Sequence, residues 1–340
     1  MADYIDILGN NIPIRSADPS NPIVGELWYN TTTNSLKGRI SAPTGAWSTG
    51  NNLNTVRYSF GGAGTTTAGL AFAGGTPGTN TLATEEYNGT SWAAANNMVG
   101  TARRSLGGSG TQTDAITCGG YEYPAPPPGG GSNNTEEYNG TSWTASGALN
   151  TGRYATSICA ASTAAGLSSG GTVVTTAPGT YNEEYNGSTW TSTGSFPMGL
   201  RSTPSLVGSQ TAALYAGGTR ASDSVRSNLV SDYDGSTWTA GTVLPATRTS
   251  SSQSGTATNA LVAFGSSPAV PGPGQYTSSL NYDGTNWTTR PSSNLTGDSG
   301  GYASNQVTSS ATWVTGLGSP QIATEEFSSP AVVTVTVTSS

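Results

Sequence analysis

The stretch TEEYNGTSW at residues 84–92 returns unchanged at 135–143. Variants follow as NEEYNGSTW at 182–190, SDYDGSTW at 231–238 and LNYDGTNW at 280–287. Three meanings compete for such a segment: a carboxylate pair for catalysis, a set of glycosylation sequons, or a piece of scaffold. Asn-Gly is the strongest short-range signal for a two-residue type I′ hairpin, which needs positive φ at both loop positions. Asp234-Gly235 and Asp283-Gly284 stand where other copies have Asn-Gly, a swap that keeps a turn but destroys a sequon. The turn is therefore the common requirement. With Asn88-Gly89 as the loop, Tyr87 is expected opposite Thr90 and Glu85 opposite Trp92. Alternation then puts Tyr87 and Trp92 on one sheet face, and Glu86 and Ser91 on the other.

The repeat extends well beyond this hairpin. Trp47, Trp92, Trp143, Trp190, Trp238 and Trp287 are separated by 45, 51, 47, 48 and 49 residues, and Tyr87, Tyr138, Tyr185, Tyr233 and Tyr282 precede the last five. Arg57, Arg153 and Arg248 follow their tryptophans by ten residues, Arg103 and Arg201 by eleven. Between arginine and EEY lies a short apolar run ending in paired glycines: LAFAGG at 70–75, AITCGG at 115–120, LYAGG at 214–218. LSSGG at 167–171 is a weaker copy, and LVAFGS at 261–266 has Ser266 in place of the second glycine. Each unit reads as four short strands, and a period near fifty residues with four strands selects a β-propeller.

Counting units gives an all-β, six-bladed propeller over residues 45–330. The last unit has ATEEF at 323–327 but no tryptophan strand after it, whereas GAWSTGNNLNTVR at 45–57 matches TSWTASGALNTGR at 141–153. The Trp47 strand is therefore expected beside Phe327, closing the sheet circle without an open edge. A further partial blade within residues 26–47 would make seven. Residues 1–24 (Pro13, Pro19, Pro22, no helical periodicity) are expected to form an extended docking arm, and 25–44 a β-hairpin lead-in. AVVTVTVTSS at 331–340 alternates like a strand, with blade six or a neighbouring subunit as its two candidate partners.

Charged residues are only 9% of the 340, against about 25% in typical soluble proteins. A net charge of −7 and a single lysine, Lys37, argue against nucleic acid as a partner. No run approaches the length of a membrane span, so no membrane insertion is expected. The start MADYIDILGNN carries Asp3 and Asp6 where a signal peptide needs positive charge, which predicts synthesis in a cytoplasm without general secretory export. A Ser, Thr and Asn surface suits work outside cells, a mismatch that any function must resolve. Cys118 and Cys159 fall in predicted strands and read as buried thiols, with a disulfide between them left open by spacing alone.

The Gly-Gly after an apolar strand, then Tyr, then Trp, in units near fifty residues over 45–327, resembles kelch-type propellers. The chain departs from that pattern in its five-residue Tyr-to-Trp spacing and at Gly265-Ser266. A second resemblance covers most of the chain: NPIVGELWYNTTTNSLKG at 21–38, then GAW, then the EEYNGTSW repeats, is similar to virion structural and tail-fibre-like proteins of tailed bacteriophages of marine cyanobacteria. It implies a virion protein assembled in the host cytoplasm, which resolves the mismatch, and it implies no catalytic residues.

Catalysis finds little support. There is no histidine, which removes the commonest acid–base residue and metal ligand, along with any likeness to kelch-fold copper oxidases. SDYDGSTW resembles the turn motif of sialidases, another propeller family, but its aspartate is displaced by one position. Arg57, Arg103, Arg153, Arg201 and Arg248 recur at one place, as do Glu85/Glu86, Glu136/Glu137, Glu183/Glu184 and Glu325/Glu326. Recurrence means the same structural bonds made several times, and neighbouring glutamates on a strand face opposite ways. No catalytic, metal or cofactor site is expected.

Binding fares better. Second-to-third and fourth-to-first strand connections of a propeller share one face, and the second-to-third connections vary most here, which is where recognition residues tend to sit. Candidates are Tyr121, Tyr123 and Pro126 in the proline-rich loop 121–134, with Tyr181, Arg220, Arg226 and Tyr276 in its counterparts. The expected function is thus a non-enzymatic virion structural protein, a tail fibre or other externally displayed appendage. Multiple copies per particle would dock on other virion proteins through residues 1–24. A host-surface glycan or receptor is the expected external partner; a lectin-like module in host recognition is the alternative, and a polysaccharide hydrolase the remote one.

Overall fold

The computed structural model describes residues 12–20, 25–40, 45–123, 130–173, 180–196, 200–202, 205–220, 225–267, 275–295, 311–317, 322–329 and 333–337. All regular elements among them are β-strands. The chain divides into a larger unit, Ala46–Ser328, and a smaller one made of Met1–Gly45 with Ser329–Ser340.

The smaller unit holds one sheet in the order Ile14–Arg15, Leu27–Asn30, Ser35–Ile40, Val333–Thr336. Leu27–Asn30 and Ser35–Ile40 form an antiparallel hairpin. Trp28 is fully buried, and its indole N–H donates to Asp18 Oδ1 at 3.0 Å. Asp18 also accepts from Asn30 Nδ2 (2.6 Å) and Lys37 Nζ (2.8 Å), and these donors, Lys37 foremost, hold its carboxyl down at about 2. Of the expected arm, residues 1–11 and 21–24 lie outside the described residues, while Ile14–Arg15 pairs in parallel with Tyr29–Asn30. The C-terminal strand does not join the last repeat, one of its two expected partners. It runs antiparallel to Ser35–Ile40, because the hairpin offers an open edge whose backbone groups need a partner.

In the larger unit, five antiparallel sheets of four strands succeed one another along the chain. The first is Gly61–Thr65, Ala68–Phe72, Thr84–Tyr87 and Trp92–Ala95; the second Gly107–Gly110, Ala115–Cys118, Thr135–Tyr138 and Trp143–Ser146. The third is Ser157–Ser162, Ala165–Ser169, Asn182–Tyr185 and Trp190–Ser192; the fourth Ser205–Ser209, Ala212–Ala216, Val230–Tyr233 and Trp238–Ala240. Ser252–Thr256, Asn259–Ala263, Ser279–Tyr282 and Trp287–Arg290 make the fifth. A sixth sheet contains Ala311–Leu317, Ala323–Ser328 and, from the other end of the chain, Ala46–Gly50, with Trp47 opposite Phe327. The arrangement is propeller-like. First strands carry small residues because neighbouring sheets approach closely there: a Cβ on Gly108 would lie 2.9 Å from the Gly62 nitrogen.

The hairpin of the repeated motif differs from the type I′ expectation. Tyr87 lies opposite Trp92, so residues 88–91 form a four-residue loop. Only the glycine is left-handed (Gly89, φ 86°), since Asn88 stabilises the turn with its side chain instead. Its Oδ1 accepts from the backbone N–H of Thr90 (2.9 Å) and Ser91 (2.8 Å). Asp234 and Asp283 do the same, which is why aspartate substitutes for asparagine.

This register puts tyrosine and tryptophan side by side, with ring centroids 4.9 Å apart for Tyr87 and Trp92, and both reach into the preceding sheet. Trp143 Nε1 donates to Thr84 Oγ1 (3.0 Å) and Trp190 Nε1 to Thr135 Oγ1 (2.9 Å). Trp47 Nε1 donates to Ser279 Oγ (3.0 Å), and Trp92 Nε1 to Thr324 Oγ1 (3.2 Å), from the first sheet into the sixth. The tyrosine hydroxyls follow the same path: Tyr138 to Glu86 Oε1 and Tyr233 to Glu184 Oε1 (2.6 Å each), Tyr185 to Glu137 Oε1 and Tyr87 to Glu326 Oε1 (2.5 Å each). Burial and the glutamate push the Tyr87 and Tyr185 phenols up to about 12, so each remains a donor.

The other glutamate of each pair turns the opposite way, onto the arginine column. Arg57, Arg103 and Arg153 form buried ion pairs with Glu85, Glu136 and Glu183. Backbone N–H groups complete the carboxylates: Asn54 (2.7 Å) and Thr55 (3.1 Å) on Glu85, and Asn150 (2.7 Å) on Glu183. The glycine pair makes room for the arginine. Its left-handed residues are Gly119-Gly120, Gly170-Gly171 and Gly217-Gly218, but Ala73-Gly74 and Phe264-Gly265 in the first and fifth sheets. The fifth repeat therefore keeps the glycine that matters, and the apparent loss at Ser266 was one residue out of register. A Cβ on Gly265 would meet Arg248 Cγ at 2.9 Å and the Thr249 carbonyl oxygen at 2.6 Å.

Cys118 and Cys159 are free and fully buried. Burial pushes the Cys118 thiol up to about 11 and raises that of Cys159 as well.

Three outcomes follow from these bonds. Arg153→Met should cost about 3–5 kcal/mol in chemical denaturation by stranding Glu183, while adding Glu183→Leu should restore most of it. Tyr138→Phe should cost about 1–2 kcal/mol in the same assay. Both cysteines should resist iodoacetamide at neutral pH in the native protein and react on unfolding, because the thiolate is the nucleophile.

Candidate functional site

The connections between second and third strands lie at the same end of the sheets as those between fourth and first. Arg57, in a fourth-to-first connection, donates to the carbonyls of Ala73 (3.3 Å) and Ala83 (2.7 Å) in a second-to-third one. Backbone alternation buries Arg57, Arg103 and Arg153 and turns the next residue of each, Tyr58, Arg104 and Tyr154, outward. In the fourth and fifth repeats Ser202 and Thr249 follow the arginine in sequence, and Thr249 is buried.

The three outward side chains join one sequence-predicted residue in a row. Arg103–Arg104 pairs antiparallel with Tyr121–Glu122, setting Arg104 opposite Tyr121. The Arg104 guanidinium lies 4.9 Å from the Tyr121 ring centroid and 5.8 Å from that of Tyr58. Tyr121 meets Tyr154 edge to face, with centroids 5.4 Å apart at 77°. Asn80, only 6% exposed, fixes the assembly: its Nδ2 donates to the carbonyls of Tyr121 (2.9 Å) and Ala102 (3.2 Å), and its Oδ1 accepts from Arg104 Nη1 (3.2 Å). The result is a half-buried band of three aromatic rings and one cation drawn from three successive repeats.

The remaining candidates are placed differently. Tyr123, 51% exposed, stands in the loop after Tyr121, and Pro126 lies outside the described residues. Tyr181 and Tyr276 cover buried arginines, Arg153 at 5.7 Å and Arg248 at 4.3 Å. Tyr276 also donates its hydroxyl to the Thr247 carbonyl at 3.3 Å. Arg220 and Arg226 are half-buried in the fourth repeat, where the Arg220 N–H donates to the Val225 carbonyl at 2.9 Å. The loop comparison that selected these residues passed over Tyr58, Arg104, Tyr154 and Asn80. For Tyr58, Arg104 and Tyr154 the signal is the changing residue immediately after an unchanging arginine.

The chemistry available elsewhere is largely committed. Glu85, Glu136 and Glu183 hold arginines, and Glu86, Glu137, Glu184 and Glu326 hold tyrosines. Among the described residues no group of three or more Cys, Asp or Glu is arranged to hold a metal ion. Arg248 is buried without a carboxylate, because Leu280 stands where Glu85 stands in the first repeat. It donates instead to the carbonyls of Phe264 (2.8 Å) and Ser278 (2.9 Å), and burial lowers its pKa to about 10.

No protein-family model matches the chain. No characterised protein matches it in sequence. Among solved structures, that of YjhT is similar with a TM-score of 0.62 at 11% identity, covering 82% of this chain and 95% of YjhT. In all, 247 chains of solved structures match, so the architecture is common and fixes no activity by itself. The likeness is one of fold.

Proposed function

We propose that the chain is a non-enzymatic recognition protein: a six-bladed, kelch-like propeller closed by its N-terminal strand and displayed on a tailed-phage virion. As a tail fibre or similar appendage it would contact host-surface glycan through the loop face. The smaller unit, rather than an arm alone, would serve for attachment to other virion proteins. Closure is supported by the Trp47–Phe327 pairing and by the bonds from Trp92 and Tyr87 in the first sheet to Thr324 and Glu326 in the sixth.

The observation that carries the recognition role is the row Tyr58, Arg104, Tyr121 and Tyr154. The tryptophan, tyrosine and glutamate columns are largely occupied in holding sheet to sheet. The row instead breaks the repeat's symmetry, in the first three units only. Flat aromatic faces beside fixed polar groups suit a ring with one apolar face and a hydroxylated edge.

On an array of bacterial surface polysaccharides, the full chain should bind at least one glycan. Tyr121→Ala with Tyr154→Ala should weaken that binding tenfold or more, since truncating a central aromatic anchor costs about 2 kcal/mol. Failure to bind any host envelope fraction would sink the recognition role, and depolymerisation of the polysaccharide by purified protein would overturn the non-enzymatic one.

A further inference from the structure

We infer that the ligand of the Tyr58–Arg104–Tyr121–Tyr154 row is an acidic sugar, whose carboxylate or sulfate is taken by the Arg104 guanidinium while the tyrosines bear the ring. This rests on the glycan-recognition role above and names its chemical class.

The first support is charge. The chain has 12 lysines and arginines against 19 acidic residues, so intramolecular partners for a cation are plentiful. Arg15, Lys37, Arg57, Arg103 and Arg153 all have one. Among the described residues Arg104 faces no carboxylate within ion-pair distance. Glu122, the nearest acid along the strand, follows Tyr121 and so turns to the opposite face, where Asn134 Nδ2 lies 3.4 Å from its Oε1.

The second is position. The scaffold does not require a charge after the column arginine, since Tyr58, Tyr154, Ser202 and Thr249 fill the same place in other repeats. Yet Arg104 is held in place, its guanidinium against the Tyr121 and Tyr58 rings and fixed by the nine-tenths-buried Asn80. Asn80 accepts from one of the five N–H donors of the guanidinium. A planar fork held against two aromatic rings is pre-organised for two parallel hydrogen bonds to an anionic oxygen pair. A lysine would offer only a point charge there, and a tyrosine none.

The test compares a polyuronate with its own methyl ester, which share a backbone and differ in charge, and adds a sulfated glucan as a second anion. Polygalacturonate, its fully methyl-esterified form and dextran sulfate are titrated against the full chain by biolayer interferometry. Polygalacturonate or dextran sulfate should bind, the ester about tenfold or more weaker than polygalacturonate. Binding should fall between about 0.05 M and about 0.5 M salt. Arg104→Gln should remove the preference for the charged polymer, and Arg104→Lys should restore part of it, with circular dichroism and melting temperature confirming that both variants are folded. Which of the two anionic polymers binds tells carboxylate from sulfate. Equal binding of charged and esterified chains, or a preference that survives Arg104→Gln, overturns the inference and leaves glycan recognition standing. Binding to none of these polymers, with neutral glycans bound on the array, also overturns it; binding to nothing at all sinks both.

Discussion

An indole N–H and a phenol O–H, each reaching back into the preceding sheet, hold the larger unit together. A four-stranded sheet of glycine, serine and threonine has little apolar surface with which to fasten a neighbour. Most apolar clusters lie between successive sheets, as with Leu70, Phe72, Ala115, Tyr138 and Trp143. Their packing is ordered by polar tethers at both ends of the aromatic pair. Each such bond is modest, about 0.5–1.5 kcal/mol for a neutral pair and more to a carboxylate. Repeated from sheet to sheet, they leave few ways for one blade to slide against the next.

The tethers fail where the sequence drifts, and the failures are compensated locally. Val230 replaces the hydroxyl acceptor before Trp287, whose indole turns to the Thr242 carbonyl at 2.7 Å. Phe327 lacks the hydroxyl that other repeats use, and the glutamate it would have met is Asn281. Donor and acceptor have gone together, so neither is stranded. At the junction of fourth and fifth sheets, Val207, Leu214, Val230, Val262 and Leu280 form a continuous apolar cluster. Well-packed hydrophobes commonly replace a buried ion pair without loss. The less complete case is Trp238, whose buried indole nitrogen has no partner among the described residues, because Asn182 is engaged with Ser169 and Thr193.

Much of this was legible in the sequence, because a structural requirement imposed many times leaves many copies. The tryptophan spacing and the four-strand units translated directly into sheets, and Trp47 did pair with Phe327. The register of the Asn-Gly turn was not legible. Asn88 can satisfy a turn with its backbone or with its side chain, and the letters are the same. The glycine pair was misaligned for a related reason: Ala73 and Phe264 take up a left-handed conformation that sequence assigns to glycine. The aromatic row was hidden because its members come from three repeats and meet only in space. Loop length drew attention to Tyr121 but not to Arg104, one residue past a constant position.

The sixth sheet has an implication for how the polypeptide is made. Its strand Ala46–Gly50 precedes its partner Ala323–Ser328 by more than 270 residues along the chain, with five complete sheets between them. Five sheets can assemble in turn from local hairpins during synthesis, but Trp47 must wait with its edge unpaired until Phe327 has been made. Contacts so distant along the chain form slowly, and an exposed edge invites pairing with another nascent chain. A product terminated before Ala323–Ser328 would keep that edge permanently, so the sixth sheet forms only in chains that reach this strand.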